Sequence, residues 1–184
     1  MEPRQEFEPV AAAARVDGPR IDPPFIDLGR ALELLAAAVE QCGERLVFVA
    51  GRHQSCLYAS DGGPQCLVGR CLSLAGVDEG DLDALGGHGV RELYDRGGLP
   101  VRLTLGALVV FDAAQRGQDR GYAWGEALEY AVGVAERFLD LIRARSCESA
   151  PEAGWVLRVE PLPAKIAQVA NAAAAHETSR RRRP

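Results

Sequence analysis

The stretch HQSCLYASDGGPQCLVGRCLSLAG, residues 53–76, is the part of the chain around which we expect the fold to form. It contains three of the five cysteines, a Gly-Gly-Pro turn and the start of an apolar helix. CLYA at 56–59 is typical of a β-strand, and RLVFVA at 45–50 is its expected antiparallel partner in a hairpin. Apolar residues then recur at helical spacing from Gln65 to Gly76, which predicts a helix that packs on the hairpin.

Amphipathic patterns on both sides of this stretch predict the remaining helices. Residues 28–42 carry apolar side chains at steps of three and four, with Asp27 as the expected N-terminal cap and Cys42 in the core. Similar spacing predicts helices over 104–116 and 122–144. We therefore expect an α-rich α+β fold in which about four helices pack around a small antiparallel β-hairpin.

The patterns divide the chain into three parts. Residues 1–26 contain Pro, acidic side chains and an Ala run, which is typical of a flexible N-terminal arm. Residues 27–145 are predicted to form a single globular domain, in keeping with the length of the chain. Residues 146–184 form a C-terminal extension with a candidate short strand, an Ala-rich helix and an Arg-rich tail.

Charge and composition exclude several classes of protein. A net charge of −5 argues against a general nucleic-acid binder, although the tail Arg180–Arg183 could contact phosphate or an acidic partner. No apolar run reaches the roughly 18 residues that cross a bilayer, so we expect no membrane association. The acidic N-terminus is not that of a signal peptide, and five cysteines are an odd number for a disulfide scaffold. These features predict a cytoplasmic protein with reduced thiols.

One candidate metal site consists of His53, Cys56, Cys66 and Cys71. Thiolates and an imidazole are the ligands that tetrahedral zinc prefers, and a hairpin followed by a helix is a suitable scaffold. The spacing H-x2-C-x9-C-x4-C disfavours zinc, because ligand pairs are usually separated by about two residues. The alternative is that these cysteines are buried as apolar side chains, with no cofactor bound.

A second candidate site is a thiol nucleophile at Cys66. A turn meets the start of a helix there, and the exposed N–H groups and the helix dipole stabilise a thiolate. His53 or His88 could act as the base, and Asp81 or Asp119 could orient it. These residues would belong to a cysteine-dependent hydrolase.

A third candidate is the polar cluster Gln115, Gln118 and Asp119, followed by Trp124. On a helix that continues through Asp119, the first three residues lie on one face. Two amides, a carboxylate and an indole could bind a base or a peptide by hydrogen bonds and stacking. Alternatively, Asp119 caps the following turn, the two glutamines satisfy loop backbone and Trp124 lies in the core.

The blocks CLYASDGGPQCLVGRCLSLAGV and AQRGQDRGYAWGEAL resemble an uncharacterised family of small proteins from actinobacteria and their phages. Members carry a C-x-Y … G-x-P-x-C-[LI]-V-G block followed by an A-Q-x-x-Q-D-x-G-x-x-W-G block. The resemblance covers about residues 28–143 and implies that both blocks belong to one domain of phage or mobile-element origin. It attaches no activity, cofactor or catalytic residue to the chain.

Several catalytic signatures are absent from the sequence, among them GxxxxGK[ST], GxGxxG after a strand, HExxH and GxSxG. Their absence favours binding over catalysis. We expect a small accessory or regulatory protein that acts by protein binding, for example a phage-encoded modulator of a host protein. The alternatives are a hydrolase that uses Cys66 and a zinc-stabilised binding module. The partner and the oligomeric state do not follow from the sequence.

Overall fold

Six helices and four two-residue strands make up the residues that the computed structural model describes, which are 22–47, 57–60 and 63–148. In chain order they are β1 (Phe25–Ile26), α1 (Leu28–Cys42), β2 (Ala59–Ser60), β3 (Gly63–Pro64), α2 (Leu67–Leu74), α3 (Glu79–Ala84), α4 (Val90–Asp95), β4 (Arg102–Leu103), α5 (Leu105–Asp119) and α6 (Trp124–Glu148). Buried apolar side chains from all six helices form one core.

The central element is α5, which contacts α1, α2, α4 and α6. Small residues on its surface let the neighbouring helices approach closely. A Cβ placed on Gly117 would lie 3.3 Å from the Cα of Ala127, so α5 and α6 pack almost backbone to backbone at that point. Because helices surround α5, polar side chains on its faces can lie inside the protein rather than in solvent.

Short polar side chains cap α1 and α5 at their N-termini. Asp27 accepts a hydrogen bond from the Arg30 N–H of α1 at 2.8 Å, which confirms the predicted cap. Thr104 caps α5 in the same way, through the Ala107 N–H at 3.2 Å. These local contacts fix where α1 and α5 begin.

A two-stranded parallel ribbon of β1 and β4 places the starts of α1 and α5 side by side. The Arg102 N–H donates to the Pro24 carbonyl at 2.8 Å, and the Thr104 N–H donates to the Ile26 carbonyl at 3.1 Å. Each strand leads directly into its helix. The ribbon therefore holds the first residues of α1 next to the first residues of α5, the central helix.

The α-rich architecture is confirmed, but the predicted central hairpin is not shown. Residues 48–56 lie outside the described residues, and Val47 forms only an isolated bridge with Ala123. The strand expected at the CLYA segment is displaced toward its end, where β2 pairs with β3. The Gly-Gly-Pro segment, predicted only to end a strand, itself supplies β3, which pairs with β2 in antiparallel orientation.

The predicted helices differ from the observed ones in number and in extent. The Gly- and Asp-rich connection over 77–100, for which the sequence predicts one or two short helical turns, contains the six-residue helices α3 and α4, so the described residues hold six helices rather than about four. The prediction that Cys42 is buried is wrong, because the last turn of α1 extends beyond the core. Among the described residues, no helix is long and apolar enough to cross a membrane.

The turn between α5 and α6 also lies further along the chain than predicted. α5 continues through the GQD segment to Asp119, and Gly121 then adopts a φ of 82°, which favours glycine. α6 begins at Trp124. The extra turn of α5 carries Gln118 into the interior of the protein.

Candidate functional site

Gln115 and Gln118 lie on the face of α5 that is turned into the core. Their side chains are 3% and 1% exposed, respectively. An amide that is removed from water costs about 1–3 kcal/mol unless its polar atoms find hydrogen-bond partners. The partners of these two side chains therefore determine what the pair does.

Gln118 caps α2 from a position 51 residues away in the sequence. Its Oε1 accepts a hydrogen bond from the Leu67 N–H, the first of the helix, at 2.7 Å. The first N–H groups of any helix lack acceptors within that helix. In the same first turn, the Cys66 Sγ accepts from the Gly69 N–H at 3.2 Å. Gln118 and Cys66 thus supply hydrogen-bond acceptors for two N–H groups at this buried helix terminus.

Gln115 performs the same task for α4. Its Oε1 accepts from the Val90 N–H at 2.7 Å. The residue before this helix is Gly89, which makes no side-chain cap. The Nε2 of Gln115 donates to the hydroxyl of the buried Tyr58 at 3.3 Å. One glutamine therefore holds both α4 and the segment before β2.

We call Gln115 and Gln118 the amide tethers. The side-chain carbonyl oxygen of each accepts a hydrogen bond from a backbone N–H of the protein itself. This agrees with the alternative interpretation of the sequence, in which the two glutamines satisfy backbone groups. A ligand that needed these oxygens would first have to displace a buried helix terminus. Ligand binding by the tethers stays a prediction that the structure does not test, and the observed hydrogen bonds give both residues a structural role.

Asp119 and Trp124, the other members of the predicted polar cluster, point in different directions. Asp119 ends α5 with its side chain in contact with solvent, and partial burial of the carboxyl group raises its pKa. Trp124 is buried at the start of α6, and its backbone N–H donates to the Leu46 carbonyl at 2.8 Å. Its indole Nε1 has no acceptor among the described residues. The fold does not gather all four residues around one opening.

Cys66 and Cys71 are both fully buried. The Cys66 sulfur accepts the Gly69 N–H inside the core, so a substrate could reach it only if α2 moved away. Desolvation raises the pKa of the Cys71 thiol far above its ordinary value, which keeps that sulfur protonated and unreactive. Neither cysteine is accessible to solvent, as the thiol of a nucleophile must be.

The partners predicted for a Cys66 nucleophile are not assembled around it in the described part of the chain. His53 lies outside the described residues. His88 is exposed, with its Nδ1 3.2 Å from the Glu92 Oε1. Asp81 is exposed on α3. The hydrolase hypothesis therefore stays a prediction without a geometric basis in these residues.

The predicted zinc ligands are only partly described. His53 and Cys56 fall in the segment that the structure does not describe, whereas Cys66 and Cys71 are core residues. Within the described ranges, no group of three or more His, Cys, Asp or Glu side chains is arranged to hold a metal ion. Zinc binding by all four residues stays untested.

Comparison with known proteins gives no family by which to assign the site. No protein-family model, no curated protein and no solved structure matches the chain. Function must therefore be inferred from the surface of the described residues.

Exposed leucines mark one end of the helical core. Leu105 on α5 is 56% exposed and Leu141 on α6 is 63% exposed. A Cβ on Gly106, the residue after Leu105, would lie 3.1 Å from Leu28 and 3.3 Å from the Phe138 ring, so these two half-buried side chains both pack against the start of α5. Leu141 lies one helical turn beyond Phe138 on the same side of α6. We call Leu28, Leu105, Phe138 and Leu141 the apolar patch.

A groove of about 680 Å³ opens at the other end of the β1–β4 ribbon. Three of the described segments line it, one before β1, one from Gly76 to the end of α3 and one before β4. The lining residues are Asp22, Pro23, Pro24, Gly76, Val77, Asp78, Asp81, Ala84, Leu85, Gly97, Gly98, Leu99 and Pro100. We call this opening the acidic groove.

Sequence analysis did not identify the apolar patch or the acidic groove. The residues of the patch appear in the sequence as ordinary members of amphipathic helices. The acidic segment DEGDLD at 78–83 was a visible signal for the groove, yet alone it is typical of a solvated loop. Only the packing of α3 against two distant segments turns it into a concave surface.

Proposed function

We propose that this protein is a small accessory or regulatory protein that acts by binding another protein through the apolar patch. The observation that carries the proposal is the exposure of Leu105 and Leu141 near the point where Gly106 packs on the half-buried Leu28 and Phe138. Contiguous exposed apolar side chains are a feature of interaction sites. Covering one leucine fully contributes about 1.5–3 kcal/mol, so a partner that covers this patch gains substantial free energy.

The internal geometry supports binding rather than chemistry. The amide tethers hold helix termini, and the buried thiols of Cys66 and Cys71 lie away from solvent. The side chains that suggested a reaction are therefore engaged in the fold. The resemblance to actinobacterial and phage proteins supports a more specific version, in which the protein acts in the cytoplasm as a phage-encoded or mobile-element modulator of a host protein.

A paired substitution tests the proposal. Leu105→Ser with Leu141→Ser removes the exposed apolar surface of the patch. Leu46→Ser with Leu57→Ser removes two leucines that are each 43% exposed elsewhere, and serves as the matched control. We expect the first pair to lose a host protein that the wild type and the control both capture. Calorimetry with that host protein, once purified, should then show at least a tenfold weaker affinity for the patch variant.

The opposite result is equally clear. If the patch variant and the control variant capture the same proteins with equal affinity, the patch is not the binding surface. Circular dichroism of each variant checks that the helices are intact, which we expect because the substituted side chains are solvent-exposed.

A further inference from the structure

We propose that Cys42 and Cys71 form a reversible disulfide, which staples the end of α1 to α2 when the protein meets a small disulfide oxidant such as glutathione disulfide. This inference goes beyond the proposed function, because it concerns the contact between α1 and α2 rather than the apolar patch. It makes the two cysteines a redox-sensitive device built into the packing of two helices.

The packing of α1 against α2 brings the two cysteines to corresponding places on the two helices. Gln41 on α1 accepts a hydrogen bond from the Arg70 guanidinium of α2, with 2.8 Å between Oε1 and Nη2. Cys42 and Cys71 are the next residues on their helices. A direct contact between side chains therefore joins α1 and α2 one residue before each thiol.

Packed helices can hold facing residues at a separation that suits a disulfide. Their axes lie about 8–10 Å apart, and each Cα lies about 2.3 Å from its own axis. Facing Cα atoms can therefore approach to the roughly 4.4–6.8 Å that a disulfide spans. The Cys42 thiol also contributes to the raised pKa of Cys71, because two thiolates close together repel each other. This repulsion indicates that the two sulfur atoms are neighbours.

The two thiols differ in their access to solvent, which gives each a separate step in the reaction. Cys42 is exposed in the last turn of α1, so a dissolved oxidant can reach it. Cys71 is fully buried and closed to dissolved reagents, so the neighbouring Cys42 is the group that carries the reaction to it. Because α1 ends at Gly43, directly after Cys42, the last turn can adjust without disturbing a longer helix.

The reaction is a thiol–disulfide exchange in two steps. The Cys42 thiolate attacks one sulfur of glutathione disulfide, the S–S bond breaks, and the first glutathione leaves as a thiolate that takes up a proton. The Cys71 thiolate then attacks the Cys42 sulfur, the mixed disulfide breaks, and the second glutathione leaves in the same way. Two protein thiols are oxidised, and one glutathione disulfide is reduced to two glutathione thiols that receive the two protons. The second step is the slower one, because burial keeps the Cys71 thiol protonated.

Peptide mapping by mass spectrometry, after incubation of the full-length protein with glutathione disulfide, tests the inference. We expect the peptides of Cys42 and Cys71 to be joined with the loss of two hydrogen atoms, and the melting temperature to rise by about 5 °C. Dithiothreitol should reverse both changes. Cys42→Ser should abolish the joined peptides and the rise. The control, Cys56→Ser with Cys147→Ser, keeps the three described cysteines and should behave as the wild type.

Three results would overturn the inference. A Cys42 that stays reduced, or that stops at the mixed disulfide with glutathione, would mean that the Cys71 sulfur is out of its reach. Cys42 joined to a different cysteine would mean that the contact between α1 and α2 does not select the pair. A Cys42–Cys71 disulfide that leaves the melting temperature unchanged or lowers it would mean that the bond strains the helices. The assay involves no partner protein and no patch residue, so its outcome is separate from that of the capture experiment.

Discussion

Replacing Gln118 with methionine should destabilise the fold by removing one hydrogen-bond acceptor from the core. Methionine has nearly the same length and fills the same space. The Leu67 N–H, 2.7 Å from the Gln118 Oε1, would then be left buried without that acceptor. An unsatisfied buried donor costs about 1–3 kcal/mol. For a chain of this size, 2 kcal/mol lowers the melting temperature by about 4–8 °C.

Urea unfolding and hydrogen exchange measure the two sides of this prediction. The midpoint should fall without a change in slope, and the Leu67 amide should exchange faster because the start of α2 opens more easily. The control is Gln41→Met. Gln41 is exposed and accepts from Arg70 at 2.8 Å, so its loss should change the stability by less than about 0.5 kcal/mol. A Gln118→Met variant as stable as the wild type, with unchanged exchange at Leu67, would refute the role of the tether.

Three further predictions follow from packing and from the pKa shifts. Gly69→Ala should lower the free energy of unfolding in urea by more than about 2 kcal/mol, because the new Cβ would overlap the Tyr58 carbonyl. The control is Gly133→Ala, whose Cβ would have its nearest atom 3.7 Å away and which should raise the free energy of unfolding by up to about 1 kcal/mol. Asp119→Asn should raise stability at pH 7. The pKa of Asp119 in the folded protein lies above its ordinary value of 3.8, so ionisation of the carboxyl group destabilises the fold as the pH rises past that value. The melting temperatures of the variant and the wild type should therefore converge near pH 3. Cys71 should react with iodoacetamide only at the rate of global unfolding, and rapid labelling under native conditions would contradict its burial. The free energy of unfolding should also fall above pH 9, because only the thiol of the unfolded chain ionises readily there.

Local features of the sequence predicted the long helices well. The repeating apolar side chains of α1 and the cap at Asp27 are contained within a few residues, so a single chain displays them. The same is true of the early part of α5. The end of α5 depends instead on its packing against α6 at Gly117, and this contact has no signal in the sequence of α5 alone.

The amide tethers could be anticipated as a pair but not as caps. Their spacing places Gln115 and Gln118 on one face of a helix, which the sequence shows directly. Their partners, the N–H groups of Val90 and Leu67, are 25 and 51 residues away. Contacts of that range depend on how the helices pack, so the sequence favoured a structural role for the pair but could not identify the partners.

Short elements account for most of the remaining differences. β1 and β4 have two residues each, too few to show an alternating pattern. α3 and α4 have six residues each and are held by tertiary contacts, because isolated helices of that length are unstable in water. The acidic groove is built from these elements, and for that reason it emerges only from the folded chain.

Site-specific photo-cross-linking is the most direct test of protein binding through the apolar patch. A benzophenone side chain placed at Leu141, which is 63% exposed, should form a covalent adduct with one host protein. The same group at Leu46, 43% exposed outside the patch, should not form that adduct. An adduct specific to Leu141 is the predicted result. Identical adducts at both positions, or none at Leu141 in host cells, would contradict binding through the patch.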